Sequence, residues 1–88
     1  MKIIGQFVQR EIGGKTVAIS VSTAPGSYQG MVSLNATGKL IWDMISEGLG
    51  REEIYSALEK QFDISPEMAK RDADAFIHKL VEAGVVGE

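Results

Sequence analysis

The chain has 88 residues, which is enough for one domain with a single hydrophobic core and too few for two. Hydrophobic residues make up 44% and charged residues 24%, a composition typical of a folded globular protein rather than a disordered segment. The formal net charge of -3 argues against a nucleic-acid partner, because domains that neutralise several phosphates usually carry a basic face.

Cysteine is absent from the chain, which excludes disulfides, thiolate nucleophiles and thiolate metal sites. The first six residues are too short a stretch, and too soon polar, for a signal peptide. No apolar run approaches the ~20 residues that cross a bilayer. We therefore expect residues 1–88 to form one cytoplasmic domain that does not associate with membranes.

The first third of the sequence has the pattern of β-strands. Phe7–Ile12 and Lys15–Ser22 are the first two predicted strands, and the Gly13-Gly14 pair between them suits a tight hairpin turn. A loop over residues 23–30 is rich in turn-forming residues, and Met31–Leu34 follows it as a third, short strand.

The second predicted strand alternates clearly between two kinds of side chain. Val17, Ile19 and Val21 share one face, and Ala18, Ser20 and Ser22 share the other. The sheet therefore has one apolar face, and we expect that face to pack against the helices that follow.

Three helices are predicted in the remainder of the chain. Asn35 is a plausible N-cap for the first, which we expect to end near Glu47. The second runs from about residue 51 to residue 62. The third has the clearest start, because Ser65 can cap it and Pro66 occupies its first position. The order β-β-β-α-α-α predicts an α+β domain of the winged helix-turn-helix kind, with a three-stranded antiparallel sheet followed by three helices.

The sequence offers little for catalysis. Its one histidine, His78, lies away from the apolar stripe of the third helix, and we expect it to face solvent. No second histidine or cysteine could join it in a zinc site. Most acidic residues lie on the polar faces of helices, although Asp72 flanks the apolar stripe and could pair with a basic group of a partner. We predict no enzymatic activity, no cofactor and no metal.

The third predicted strand is a candidate binding edge. Met31–Leu34 is short, uncharged and free of proline, so little in it discourages another strand from pairing there. An extended peptide could add to this edge and place alternate side chains against the third helix. The residues alone leave two other possibilities open: the loop over 23–30 covers the edge, or a second copy of the domain does.

Two motifs carry a resemblance to a known family. Leu34–Trp42 reads L-N-x-T-G-x-x-I-W, and Asp72–Val86 reads D-x-x-x-F-[IL]-x-x-L-x-x-x-G-[VL]-[VL]. In this order and about 30 residues apart, they resemble the PqqD-like family of winged-helix peptide chaperones, also called precursor-peptide recognition elements.

The resemblance implies a function as well as a fold. Members bind the leader segment of a ribosomally made precursor peptide and present it to a modifying enzyme, often a radical S-adenosylmethionine enzyme. The leader pairs with the third strand and packs against the third helix. The matching positions of this chain are Gly30, Met31, Val32, Ser33, Leu34, Met68, Asp72, Ala75, Phe76 and Lys79.

Two other functions remain as alternatives. A winged helix can bind DNA, but residues 65–84 carry three basic and four acidic side chains, a net charge of the wrong sign for a recognition helix. The edge strand could also pair with itself in a homodimer. We expect Val32→Pro to test the edge, because proline removes a donor from the strand.

Overall fold

The computed structural model describes residues 1–23 and 25–88. Ala24, which belongs to the predicted loop over residues 23–30, lies outside the described residues. The elements, in chain order, are β1 (Lys2–Ile3), β2 (Phe7–Ile12), β3 (Lys15–Ser20), β4 (Met31–Leu34), α1 (Ala36–Ser46), α2 (Arg51–Phe62), α3 (Pro66–Glu82) and β5 (Val86–Gly87).

The main sheet is antiparallel, with the strand order β2-β3-β4. Gly13 and Gly14 connect β2 to β3 with φ angles of 58° and 82°, which only glycine adopts readily. Ile12 and Lys15 pair directly beside this turn, as expected for a two-residue hairpin. β4 pairs with β3 alone, so its other side is a free edge of the sheet.

A second, two-stranded sheet joins the two ends of the chain. β1 and β5 are antiparallel, with Ile3 opposite Val86, and the Ile4 N–H donates to the Val85 carbonyl at 2.7 Å. Neither strand belongs to the order β-β-β-α-α-α that the sequence predicted. Strands of two residues are too short for any pattern to appear in the sequence, so their pairing depends on the rest of the fold.

The helices begin where their capping residues predicted. The Asn35 side chain accepts a hydrogen bond from the Gly38 N–H at 2.8 Å, and the Ser65 hydroxyl accepts one from the Met68 N–H at 3.2 Å. Each satisfies one of the N–H groups that the first turn of a helix leaves unpaired. Pro66 occupies the first position of α3. The predicted α+β class, a three-stranded antiparallel sheet followed by three helices, is confirmed.

The hydrophobic core lies between the three helices and one face of the main sheet. Its buried members are Ala18, Leu34, Ile41, Trp42, Ile45, Ile54, Leu58, Ala69, Ala73, Ile77, Leu80, Val85 and Val86. Trp42 is buried in this cluster, and Phe76 packs against it while only partly buried.

The sheet face that packs on the helices is the opposite of the one predicted. Ala18 belongs to the core cluster with no exposed surface, whereas Val17 lies outside the cluster and Val21 is 49% exposed. Neighbouring strands explain the difference, because Ala18 pairs with Val32, which packs against the core. Phe7 of β2 and Val32 and Leu34 of β4 share the inner face and pack in or against the core, although the alternation within β3 points to the other face.

Candidate functional site

The backbone N–H and C=O groups of β4 point alternately toward β3 and toward the free edge of the sheet. The Ser20 N–H donates to the Gly30 carbonyl at 2.9 Å, so this pair exchanges hydrogen bonds across the β3–β4 ladder. Residues on an antiparallel strand alternate between groups that point to the neighbour and groups that point away. The backbone N–H and C=O groups of Gly30, Val32 and Leu34 therefore point toward β3, while those of Met31 and Ser33 point to the free edge.

One of these four outward groups already has a partner. The Tyr28 hydroxyl donates to the Met31 carbonyl with a donor–acceptor distance of 3.2 Å. Within residues 1–23 and 25–88, the Met31 N–H and both backbone groups of Ser33 have no hydrogen-bond partner on this side. Among the described residues the edge is accordingly open for most of its length, and Tyr28 of the loop over 23–30 covers it at the Met31 carbonyl.

A groove lies beside the end of β4, between the start of α1 and the exposed flank of α3. Its volume is about 320 Å³. The residues that line it are Asn35, Thr37, Ile41, Asp72, Ala75, Phe76 and Lys79. Four of the five α3 residues predicted for the site are therefore brought together. Asn35, the N-cap of α1, and Thr37 and Ile41 of α1 were missed as site residues, although all three belong to the first motif.

The packing of the Phe76 ring, which lines the groove, explains why the first motif has a glycine at Gly38. A Cβ atom on Gly38 would be 3.3 Å from Cε1 and Cζ of the Phe76 ring and 3.0 Å from Oδ1 of Asn35. The Thr37 hydroxyl donates to the same Asn35 oxygen at 3.0 Å. Asn35, Thr37 and Gly38 together form the helix start against which the ring of Phe76 packs.

The remaining predicted residues lie around the groove rather than in it. Met68 is 43% exposed near the start of α3 and does not line the groove. Val32 is partly buried on the inner face of the sheet. Leu34 is 5% exposed, and its backbone groups point toward β3, so it presents no group to the free edge.

Two opposite charges frame the groove. Asp72 and Lys79 are seven residues apart on α3, which separates them by about two helical turns, or ~10 Å. Asp72 has one distant ion pair, 3.8 Å from Nε of the highly exposed Arg71, and Lys79 has none among the described residues. Both charges are therefore available to a bound molecule.

A separate polar cluster lies on the other side of α3. Arg51 on α2 contacts Asp74 at 3.0 Å and Glu88 at 2.5 Å, and the Tyr55 hydroxyl donates to the same Asp74 oxygen. The hydrogen bond to Glu88 raises the pKa of Arg51. Burial, followed by the hydrogen bond to Asp74, raises the pKa of Tyr55. These contacts join α2, α3 and residue 88, and they do not reach the groove.

The described residues include the single histidine of the chain, His78. His78 is exposed, as predicted, and its Nε2 lies 2.9 Å from Oε1 of Glu82. Across residues 1–23 and 25–88, no group of three or more histidine, aspartate and glutamate residues could hold a metal ion. No helix in this part of the chain is long and apolar enough to cross a membrane.

The outer face of the main sheet carries several exposed apolar side chains, although Val17 on the same face is buried at 7% exposure. Ile12, Val21 and Met31 are 56%, 49% and 58% exposed, and Val8 and Ile19 lie on the same face. This is the face that the alternation of side chains within β3 predicted to pack against the helices.

Comparison with known proteins indicates the family to which the chain belongs. The chain matches the family model described as "Coenzyme PQQ synthesis protein D (PqqD)" over residues 7–86. A search of curated proteins finds no match. Among solved structures, the chain is similar to "TbiB1 in Complex with the TbiA(beta) Leader Peptide", with 27% sequence identity and a TM-score of 0.73. That similarity covers 97% of this chain and 93% of the other.

Proposed function

Since the chain belongs to the PqqD family, we propose that it is a non-catalytic adaptor that binds the leader segment of a ribosomally made precursor peptide. The leader adds as a strand to the free edge of β4, and the adaptor presents the rest of the peptide to a modifying enzyme. The observation that carries this proposal is the open edge of β4 beside a groove on α3, in a chain similar to a leader-binding protein.

The edge supplies sequence-independent affinity. Met31 and Ser33 offer two N–H donors and two C=O acceptors, spaced for pairing with an extended peptide. Such pairing uses only main-chain groups of the ligand, so it accepts many sequences. Neither residue is charged, so the strand contributes little that salt can screen.

The groove supplies selectivity. In an added strand, side chains alternate between the two faces of the sheet. Every second leader residue therefore lies on the inner face and points toward α3. There it meets the apolar surface of Ala75 and Phe76, with Asp72 and Lys79 at the two ends. An apolar leader residue fits the centre, and charged residues fit only at the end where their sign is matched.

The modification itself belongs to a separate protein. The chain has one histidine and no cysteine, and the histidine is paired with Glu82 on the exposed side of α3. A radical S-adenosylmethionine enzyme is one such partner. In this role the adaptor works in the cytoplasm, where newly translated precursor peptide is present.

An amide NMR titration tests the proposal. The labelled chain is titrated with a synthetic leader from the short peptide encoded beside its gene, and in parallel with the TbiA(beta) leader and a scrambled peptide. We expect saturable shifts at Gly30–Ser33 and at Asp72–Lys79, with micromolar or tighter affinity for the cognate leader. Shifts confined to other surfaces, or equal response to the scrambled peptide, would contradict it.

Self-association through β4 is the second candidate, because an open edge can pair with a second copy of the same edge. Sedimentation of the chain over a hundredfold range of concentration distinguishes the two. A dimer that the cognate leader dissociates would mean that both use the same edge, and a dimer unaffected by the leader would place self-association elsewhere.

A further inference from the structure

Tyr28 reaches the proposed leader edge from the loop that precedes β4. Its hydroxyl donates to the outward-pointing carbonyl of Met31 at 3.2 Å. The hydroxyl oxygen and two ring carbons of Tyr28 would lie 3.6 to 3.7 Å from a Cβ built on Gly30, so the side chain passes directly beside the start of β4. The side chain thus occupies one end of the edge.

The ring of Tyr28 is held in this position by other aromatic residues. Its centroid lies 6.2 Å from that of Phe7, and the Phe7 ring in turn makes an edge contact with Trp42, at 5.1 Å between centroids. Trp42 is buried in the core. The hydroxyl is therefore presented to Met31 by a packed ring and not by a freely moving side chain.

The hydroxyl supplies the same kind of hydrogen bond that a leader would supply. A strand added to β4 donates one backbone N–H to the Met31 carbonyl as part of the ladder. In the free chain the Tyr28 O–H already fills this position. The remaining outward groups, on Met31 and Ser33, have no such substitute among the described residues.

We propose that Tyr28 is a placeholder for the leader: its hydroxyl satisfies the Met31 carbonyl in the free chain and is displaced when the leader binds. The proposal rests on the proposed function and adds a control on affinity to it. Binding exchanges one hydrogen bond for another at this position, so the leader gains affinity mainly from the other three groups. The same contact discourages unrelated strands from pairing with the edge.

Tyr28→Phe tests the placeholder, because it removes the hydroxyl and keeps the ring that packs on Phe7. A hydrogen bond of this length on an exposed surface contributes at the lower end of the usual range. We therefore expect the cognate leader to bind about two- to fivefold more tightly to Tyr28→Phe than to the unchanged chain. Tyr55→Phe is the matched control: it removes the other tyrosine hydroxyl, which contacts Asp74 away from the groove, and it should leave affinity unchanged.

The outcomes separate the two proposals. If the leader binds both chains and Tyr28→Phe binds it equally well, the hydroxyl stays on the second lone pair of the carbonyl and the placeholder is wrong. Weaker binding by Tyr28→Phe would also overturn it, since the hydroxyl would then contact the leader. If neither chain binds the cognate leader, leader binding itself fails, and with it the placeholder. Tyr28→Phe should shift the ¹³C resonance of the Met31 carbonyl in the free chain. Saturation with the leader should bring the resonances of the two chains together, because the leader N–H then occupies the carbonyl in both, and this gives an independent check of displacement.

Discussion

The ring of Phe76 lies directly against the backbone of Gly38. A Cβ on Gly38 would be 3.3 Å from two ring atoms of Phe76, closer than carbon atoms normally approach. This contact joins the two sequence motifs, since Gly38 belongs to the first and Phe76 to the second. It also sets the position of an aromatic ring that lines the groove.

Gly38→Ala should therefore affect binding more than stability. Alanine favours the helix by about 1 kcal/mol, and crowding against Phe76 and Asn35 costs about 1–3 kcal/mol, so we expect a net loss of about 1 kcal/mol. Displacement of the ring into the groove should lower leader affinity at least about fivefold, because a 1 kcal/mol change in binding free energy is already about this factor. Urea unfolding and a leader titration measure the two effects.

Ser56→Ala, on the exposed side of α2, is the control for Gly38→Ala and should change neither quantity. Unchanged leader affinity in a folded Gly38→Ala chain would show that the position of the Phe76 ring does not matter for binding.

Proline substitutions test strand addition directly, and the structure changes which position should carry the proline. The Val32 N–H points toward β3, so Val32→Pro would break the internal ladder and not the free edge. Ser33→Pro removes an outward donor instead. We expect it to weaken leader binding at least tenfold, since it removes one ladder hydrogen bond and obstructs the approach of the strand.

Glu11→Pro is the matched control for this substitution. The Val21 N–H donates to the Gln6 carbonyl, so alternate residues of β2, among them Glu11, point to the opposite free edge of the sheet. The two variants should lose similar amounts of stability in urea, while only Ser33→Pro loses leader affinity. Equal affinities in the two would exclude β4 as the edge that binds the leader.

Because Ala18 faces the core and Ile12 lies on the outer face, substitutions at these two positions should affect stability to different extents. Ala18 has no exposed surface and packs in the core, so Ala18→Val should cost about 1–3 kcal/mol of unfolding free energy through overpacking. Ile12 is 56% exposed on the outer face, so Ile12→Thr should change stability by no more than about 0.5 kcal/mol. Thermal or urea unfolding measures both, and the reverse order would restore the face predicted from alternation.

Stability should fall at alkaline pH in part because of Tyr55. Burial and the hydrogen bond to Asp74 raise the pKa of Tyr55 above its ordinary value of about 10. The folded state therefore retains the hydroxyl proton more strongly than the unfolded state does. The resulting stabilisation is fully present below about pH 10 and is lost as the pH rises through the folded-state pKa.

Tyr55→Phe should therefore lose stability less steeply than the unchanged chain between about pH 9 and 11. Urea midpoints measured at several pH values in this range check the difference in slope, and effects common to both chains cancel in the comparison. Parallel slopes would mean that Tyr55 titrates alike in the folded and unfolded states.

Local features of the structure were predictable because local residues cause them. Asn35, Ser65 and Pro66 start their helices through hydrogen bonds or backbone geometry that involve residues within three positions. Gly13-Gly14 forms the hairpin turn for the same reason. The two motifs likewise indicated the fold, and four of the five α3 residues expected in the site line the groove.

The features that depend on distant pairing were decided only by the tertiary structure. A strand's own alternation shows that it has two unlike faces, but which face is buried depends on where Phe7, Val32 and Leu34 lie on the neighbouring strands. The direction of the backbone groups along β4 has the same origin, because the pairing of Ser20 with Gly30 determines that the N–H and C=O groups of Met31 and Ser33 point outward. The sequence by itself determined the three strands of the main sheet, the three helices and the family. The register of the strands, and with it the groups that a leader can reach, was decided by pairing between residues far apart in the chain. Such pairing leaves no periodic signal in any one segment.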